Sequence, residues 1–144
     1  MYVQTAITLF NRRLSADRRE LYFPTCIRSA SFMESKSSGH STDGAHSQSL
    51  AYKLRIPISA KIQNDRSYVP GAEYTQLDDA AAASCWTLRT GDYVVPMETA
   101  LADPIDFGQL EALASRSQLI AVKEYADNTI RGTAAVKHWR IGGE

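Results

Sequence analysis

The sequence lacks the features that mark membrane, secreted and strongly charged proteins. No apolar run approaches the ~20 residues that a membrane-spanning helix requires. Residues 1–4 show no basic stretch before an apolar one, so we expect no signal peptide. The 16 lysines and arginines balance the 16 aspartates and glutamates, so bulk charge predicts no attraction to nucleic acid or to membranes. These absences predict a protein made in a cytoplasm.

Cysteine is scarce as well. Only Cys26 and Cys85 occur, and their separation matches no metal-ligand or redox motif. One disulfide between them is the alternative to the two free thiols that a reducing compartment favours. We predict two free thiols.

No sequence pattern brings catalytic groups together. The chain has neither a phosphate-binding P-loop nor a dinucleotide-binding glycine motif. Asp78 and Asp79 are adjacent, so on a helix their carboxylates point about 100° apart and do not converge. A nucleophile pair of Cys26 or Cys85 with His138 has no supporting local motif, since free cysteines usually act as small buried apolar residues. We therefore predict that the protein is not an enzyme and needs no cofactor.

The one cluster of candidate metal ligands is formed by His40, Asp43 and His46. Imidazole and carboxylate groups do bind transition metals. These residues lie in a segment rich in serine and glycine, where fixing them around an ion costs conformational entropy. No nearby side chain is placed to support them by hydrogen bonds, as metal ligands usually require. We predict no metal site, and a metal-dependent or thiol enzyme is the least favoured hypothesis.

Alternation of apolar and polar residues predicts a chain dominated by strands. The clearest strand has its apolar side chains at every second position, namely Leu50, Tyr52, Leu54, Ile56 and Ile58. Further extended segments are predicted at 5–14, 20–35, 85–89, 93–95, 118–125 and 134–141.

Two short helices complete the predicted elements. Residues 78–83 are rich in alanine and carry acids in the first turn. Asp106 is the expected N-cap of the other helix, with Gln109 in the capping-box position. Its buried face is predicted to consist of Phe107, Leu110 and Leu113. The chain is thus predicted to be mainly β, as a β-rich α+β single domain over 1–144 built as a small antiparallel β-barrel or sandwich.

Residues 35–49 contain no large apolar side chain and so cannot contribute to a core. We predict one long polar, exposed loop at the tip of a hairpin formed by the flanking strands. Loops of this length inside compact domains are usually functional or disordered. The central residues of this loop are Ser37, Ser38, Gly39, His40, Ser41, Thr42, Asp43, Gly44, Ala45, His46 and Ser47.

The last eight residues form a distinctive ending. In a strand, Trp139 and Ile141 share one face while His138 and Arg140 take the other. We expect such a segment to be docked into a sheet rather than frayed. The candidate docking terminus consists of Lys137, His138, Trp139, Arg140, Ile141, Gly142, Gly143 and Glu144.

One ordered set of motifs runs along the chain, at Ile7–Asn11, Trp86–Val95, Asp127–Asn128 and His138–Glu144. This order resembles an uncharacterised group of small virion proteins of tailed bacteriophages, encoded in the head-to-tail joining region. The likeness spans most of the chain and is dense in about its last 70 residues. The motifs are structural, so they indicate a family better than an activity.

The resemblance implies a head-closure or stopper protein of the virion neck, assembled in the host cytoplasm. Such proteins are compact β-barrels that form a closed ring of roughly six or twelve copies. The ring lies beneath the portal and its adaptor protein and above the tail terminator or tail tube. One long loop from each copy points into the DNA channel and helps to retain packaged DNA by weak, non-specific contact. Residues 37–47 would be that channel loop, with no membrane and no cofactor involved.

Other positions in the same virion stay open, since a tail terminator also combines β-sheet with short helices. The alternative hypothesis is therefore a tail terminator or a minor capsid protein. Residues 1–40 carry a local excess of positive charge that fits contact with phosphate or with acidic groups of a neighbouring subunit. The arginines concerned are Arg12, Arg13, Arg18 and Arg19.

Overall fold

The computed structural model describes residues 3–15, 17–40, 46–99, 101, 103–130, 132–133 and 136–144, and within 35–50 it describes the backbone only. The strands are β1 (Val3–Leu14), β2 (Glu20–His40), β3 (His46–Pro57), β4 (Lys61–Ile62), β5 (Ser67–Tyr68), β6 (Cys85–Trp86), β7 (Tyr93–Val95), β8 (Ile120–Asn128) and β9 (His138–Gly143). The helices are α1 (Gly71–Gln76), α2 (Asp79–Ala82) and α3 (Phe107–Ala114), with a 3₁₀ turn at Gln63–Asp65.

Six strands close into an antiparallel barrel. Around the barrel the order is β1, β7, β8, β9, β3 and β2, and β2 pairs again with β1. Strand β4 adds to the barrel by pairing with β2 at Ile27 and Arg28, and β5 and β6 form a separate parallel pair. The predicted mainly β, β-rich α+β class is confirmed, and closure leaves most of the strands without an open edge.

The barrel interior is filled by apolar side chains that alternate along the strands. In β3, Leu54 and Ile56 are fully buried while Lys53 and Arg55 are exposed, as the sequence pattern predicts. The inner cluster consists of Ile7, Leu9, Ile27, Ala30, Tyr52, Leu54, Ile56, Trp86, Leu88, Val94, Ile120, Val122 and Ile141. Burial of so many large side chains supplies most of the drive to close the barrel.

A second apolar cluster lies between α3 and the outer surface of β1 and β7. It joins Phe10 of β1 and Val95 of β7 to Leu110 and Ala114 of α3, with Ile105 beside them. Because β1 therefore packs on both faces, Thr8 and Phe10 are as fully buried as the inward-facing residues of the same strand.

The predicted cap of α3 is confirmed. The Asp106 carboxylate accepts a hydrogen bond from the Gln109 backbone N–H at 2.8 Å, and the Gln109 side chain accepts one from the Asp106 N–H at 3.0 Å. The predicted buried face is correct at Leu110, which is fully buried, and Leu113 is partly buried. It is wrong at Phe107, which is 40% exposed because this first helical residue lies at the margin of the helix–barrel contact.

Four further elements differ from the sequence prediction. The strand predicted at 118–125 is β8, which spans Ile120–Asn128. Helix α1 was not predicted, since Pro70-Gly71 resembles a turn, yet Pro70 directly precedes the first helical residue. The strand predicted at 85–89 is limited to Cys85–Trp86. The last strand begins at His138 rather than at residue 134 and continues to Gly143.

The predicted loop at 35–49 is wrong at both ends. Its residues 35–40 belong to β2 and its residues 46–49 belong to β3, which are paired in register from Ser35 opposite Ala51 to His40 opposite His46. The backbone ladder needs only N–H and C=O groups, so a polar sequence can continue it without contributing to a core. The hairpin itself is confirmed, and residues 41–45 at its tip lie outside the described residues.

Candidate functional site

The β2–β3 hairpin extends beyond the barrel. The pairing of β1 with β2 reaches only Val3 opposite Phe32, and the pairing of β9 with β3 starts at Tyr52. We call residues 35–40 and 46–51 the arm. Within the part of the chain that the structure describes, its two strands pair only with each other. At about 3.4 Å per residue, the arm extends roughly 20 Å.

The arm contains most of the candidate channel-loop residues. Ser37, Ser38, Gly39 and His40 lie in β2, and His46 and Ser47 lie in β3. The remaining members, Ser41, Thr42, Asp43, Gly44 and Ala45, fall outside the described residues. The described part of the candidate channel loop is therefore a two-stranded β-ribbon.

The candidate docking terminus lies at the centre of the sheet. Strand β9 is paired on one side with β3 and on the other with β8, and Ile141 is fully buried between them. Beyond the strand, Glu144 and Ala121 exchange two backbone hydrogen bonds of 2.9 and 3.2 Å. At the other end, the Lys137 carbonyl accepts from the Ile58 N–H at 3.1 Å. The prediction that this segment is docked is confirmed.

Two glycines let β8 approach β9 closely. A Cβ on Gly143 would collide with the Ala121 carbonyl oxygen and would lie 2.6 Å from the Ile120 Cγ2. A Cβ on Gly142 would lie 2.6 Å from the Glu124 Cγ, which is part of a flexible side chain. This contact occurs where the register of β8 against β9 shifts between Val122 and Glu124. The Gly-Gly pair is thus a packing requirement of the bulge.

Trp139 closes one end of the barrel interior. Its ring lies 4.8 Å from that of Trp86 and 5.3 Å from that of Tyr68, measured between centroids. Tyr68 and Trp86 also meet edge to face at 5.0 Å. Aromatic pairs in this geometry contribute beyond their buried area. The exposed Arg140 and the buried Ile141 follow it on alternate faces, as predicted.

His138 of the docking terminus and the two cysteines were candidates for a nucleophile pair. The His138 Nδ1 contacts the Val136 carbonyl oxygen at 2.7 Å, and its Nε2 contacts the Asn128 amide at 3.3 Å. Both cysteines are free thiols, Cys26 buried and Cys85 half-buried. No hydrogen bond joins either thiol to His138 in the described ranges. The geometry therefore gives the Cys–His hypothesis no support.

The candidate metal ligands cannot be assessed as a set. His40 and His46 lie opposite each other in the arm, and Asp43 lies outside the described residues. Among the residues whose side chains are described, no three His, Cys, Asp or Glu groups are placed to hold a metal ion.

Sequence inspection missed a buried polar network centred on Asp92, a residue only 1% exposed. Its carboxylate accepts hydrogen bonds from the Asn11 amide at 2.8 Å, from the Arg12 backbone N–H at 3.0 Å and from the Arg89 guanidinium at 3.2 and 3.3 Å. Asn11 also pairs with the Thr87 backbone, donating at 2.9 Å and accepting at 3.2 Å. Burial raises the pKa of Asp92, and the positive charge of Arg89 opposes that rise. These bonds tie β1 to the segment that enters β7.

Tyr74 of α1 lies between two arginines. The guanidinium carbons of Arg13 and Arg89 lie 5.0 and 5.1 Å from the centre of its ring. Arg13 also donates to the backbone carbonyls of Tyr74, at 2.8 Å, and of Leu77. Burial raises the pKa of Tyr74 to about 12. The arrangement fastens α1 to the end of β1 through the two terminal nitrogens of Arg13, while the buried Arg13 Nε and Tyr74 hydroxyl have no hydrogen-bond partner in the described part of the chain.

A surface cavity of about 690 Å³ includes Cys26, Arg28, Lys61 and Glu98 in its wall. Arg28 and Glu98 form an ion pair of 2.7 Å, and both side chains are more than half exposed. An acid and a base that neutralise each other in water are poorly suited to proton transfer.

Comparison with known proteins gives one assignment. The model of a family of unknown function (DUF6751) matches residues 2–144. The chain belongs to the DUF6751 family. No curated protein and no solved structure matches it. None of the helices that the structure describes is long and apolar enough to cross a membrane. The function of this DUF6751 chain must therefore be argued from its own sequence and geometry.

Proposed function

We propose that this DUF6751 protein is a structural neck protein of a tailed-phage virion, a ring-forming head-closure or stopper subunit. The sequence motifs at Ile7–Asn11, Trp86–Val95, Asp127–Asn128 and His138–Glu144 support the proposal by their resemblance to virion proteins of the head-to-tail joining region. The observation that carries it is the combination of a closed barrel with a projecting arm.

The barrel suits a subunit that must keep its shape under load. Every barrel strand has a neighbour on both sides, and β9 is held centrally by two ladders. The network around Asp92 fixes the junction of β1 and β7 by further hydrogen bonds. A barrel whose strands are paired on both sides has few strand edges at which its sheet can open, so it keeps its shape when neighbouring rings press on it.

The arm suits an element that reaches into a channel. It extends beyond the other described strands and contains mainly serine, glycine and histidine, with one large apolar residue, Leu50, and one cation, Lys36, paired with each other near its base. Small neutral side chains narrow a channel by their volume, whereas each added phosphate contact would hold passing DNA by a salt-dependent attraction. Arms from a ring of copies would thus retain DNA without gripping it.

Co-purification tests the proposal. Tagged protein from infected cells is expected to bring down the portal-adaptor complex and a tail terminator or tail-tube protein. Recovery with tail-tube protein alone would favour the alternative of a tail terminator. Recovery with the capsid shell alone would favour a minor capsid protein. Recovery of none of these components would contradict a place in the virion.

The absence of enzymatic chemistry is part of the same proposal. The Asp92 carboxylate is engaged by the Asn11 amide and the Arg89 guanidinium, and the cavity beside Cys26 holds the Arg28–Glu98 ion pair. Turnover of a small compound by the pure protein, lost in a point variant of a residue such as Cys26 or His138, would contradict it.

A further inference from the structure

The zero net charge of the chain hides a strong segregation of charge. Residues 67–115 contain a single basic residue, Arg89. The acidic residues of that segment are Glu73, Asp78, Asp79, Asp92, Glu98, Asp103, Asp106 and Glu111. Because the whole chain is neutral, the remaining residues carry a matching positive excess. Asymmetry of this kind points to charged partners even where bulk charge does not.

Part of the acidic segment lies outside the barrel. Its helix α3 packs against β1, β7 and Tyr22 of β2, and its helix α1 is fastened to the end of β1 through Arg13. Asp103 and Glu111 are exposed there, and neither takes part in an ion pair within the described residues. These two carboxylates are therefore accessible to a partner, although Arg116 closely follows α3 and Arg66 lines the same cavity as Asp103.

The outer surface of β3 and β9 carries a group of basic side chains. In the cyclic strand order, β9 stands three positions from β1, and β3 stands three positions from β7. The outer face of β3 and β9 exposes Lys53, Arg55 and Arg140, which we call the cationic face. Over the described ranges, these three side chains form no ion pair.

The strand register places two cations of the cationic face side by side. Arg55 lies directly opposite Arg140 in the antiparallel ladder. Side chains in such positions are about 5 Å apart at Cβ, and like charges there destabilise a sheet. Glu124 of β8 extends over Gly142 at the margin of this face and forms no ion pair with these three cations among the described residues. An anionic partner placed over Arg55 and Arg140 would reduce the repulsion between them. The surplus acids elsewhere in the same chain have the required charge.

We propose that the cationic face of one copy packs against the acidic segment of the next copy. This inference rests on the proposed ring, for which it supplies the lateral contact. A ring needs two different surfaces that recognise each other head to tail, and these two surfaces are different patches of opposite charge. A second copy fits better than nucleic acid, because the two opposite surpluses within one chain compensate each other.

Paired charge reversals test the contact. The basic-face variant carries Arg55→Glu and Arg140→Glu, and the acidic-face variant carries Asp103→Lys and Glu111→Lys. At low salt, light scattering is expected to show self-association of the wild type and on the order of tenfold or more weaker association of either variant alone. An equimolar mixture of the two variants is expected to associate again, since each reversed surface then meets a reversed partner.

Matched controls separate this contact from a general effect of charge. The control variant with Lys61→Glu and Lys123→Glu lowers the net charge by the same amount as the basic-face variant. Its two exposed sites belong to neither surface, so its association should equal that of the wild type. Thermal unfolding of each variant checks that the fold persists. Normal association of the basic-face variant, or failure of the mixture to associate, overturns the inference while leaving the neck location to the co-purification test. A wild type that stays monomeric at all concentrations also overturns it. So does a basic-face variant that loses binding to a DNA duplex while its self-association stays unchanged.

Discussion

Replacing Gly143 by alanine tests whether β8 and β9 approach as closely as the structure indicates. The added methyl group would meet the Ala121 carbonyl oxygen, and the Ile120 Cγ2 at 2.6 Å. Backbone at the centre of a barrel cannot move aside locally, because Ala121 also pairs with Glu144 through two hydrogen bonds. Overpacking of this kind costs about 1–3 kcal/mol, and we expect a value near the upper end for Gly143→Ala.

The neighbouring glycine supplies a matched control. In Gly142→Ala the new methyl group meets the Glu124 side chain, whose outer atoms are free to rotate away. Alanine also restricts the unfolded chain, which stabilises by about 0.4–1 kcal/mol where the backbone is compatible. We therefore expect the free energy of unfolding of Gly142→Ala to stay within about 1 kcal/mol of the wild type.

Chemical denaturation and thermal unfolding measure both variants. A loss of 2–3 kcal/mol in a domain of this size lowers Tm by roughly 5–10 °C. The difference between the two variants matters more than either value, since both replace glycine by alanine in the same strand. Equal stability of Gly142→Ala and Gly143→Ala would refute the argument from close approach of β8.

Three other perturbations have defined outcomes. Trp139→Ala should lower the free energy of unfolding by about 3–5 kcal/mol, because it removes a ring that contacts Trp86 and Tyr68; an unchanged Tm would contradict the packing. The pKa of Tyr74 is raised to about 12 in the folded state, so between pH 10 and pH 12 the unfolded chain releases a proton that the folded chain keeps. The free energy of unfolding of the wild type therefore falls as pH rises through this range. Tyr74→Phe should make that fall smaller. An identical alkaline profile in denaturant titrations of both proteins would show that this residue does not titrate as the burial implies. Deletion of residues 37–47 should leave Tm nearly unchanged, because in the described structure this part of the arm pairs only with itself, while virions built with it should release DNA; retention of DNA at the level seen with an exposed control change such as Lys61→Ala would count against the gate.

The strands that bury one face were predictable from the sequence. The alternation from Leu50 to Ile56 identifies β3, because inward and outward positions differ in polarity. The prediction is wrong at Ile58, which lies beyond the end of the strand and is exposed. The capping box of α3 was equally clear, since Asp106 and Gln109 act over three residues. Both patterns arise between residues close together in the sequence, so they can be recognised without knowing the fold.

The arm and the barrel closure depend on distant partners. A strand made of serine and glycine has no alternation of polarity, so residues 35–40 look like a loop although their backbone is paired. Closure requires β1 to find both β2 and β7, and no short-range pattern reports a pairing between Thr8 and Val95. The barrel was therefore predictable only as a class.

The buried polar residues were missed for a related reason. Asp92 follows a glycine in a segment that resembles an ordinary turn, and only the folded chain brings Asn11 and Arg89 to its carboxylate. The role of Gly143 likewise depends on Ala121, more than twenty residues earlier in the chain. In both cases the residue type is explained by a neighbour that the sequence does not place beside it.

The most direct test of the proposed neck function is a cryo-electron microscopy map of the virion with this chain located in it. The account predicts a closed ring of barrels between the head and the tail, with the arms directed towards the channel axis. Density for this chain on the capsid shell or along the tail tube, or its absence from the particle, would contradict it.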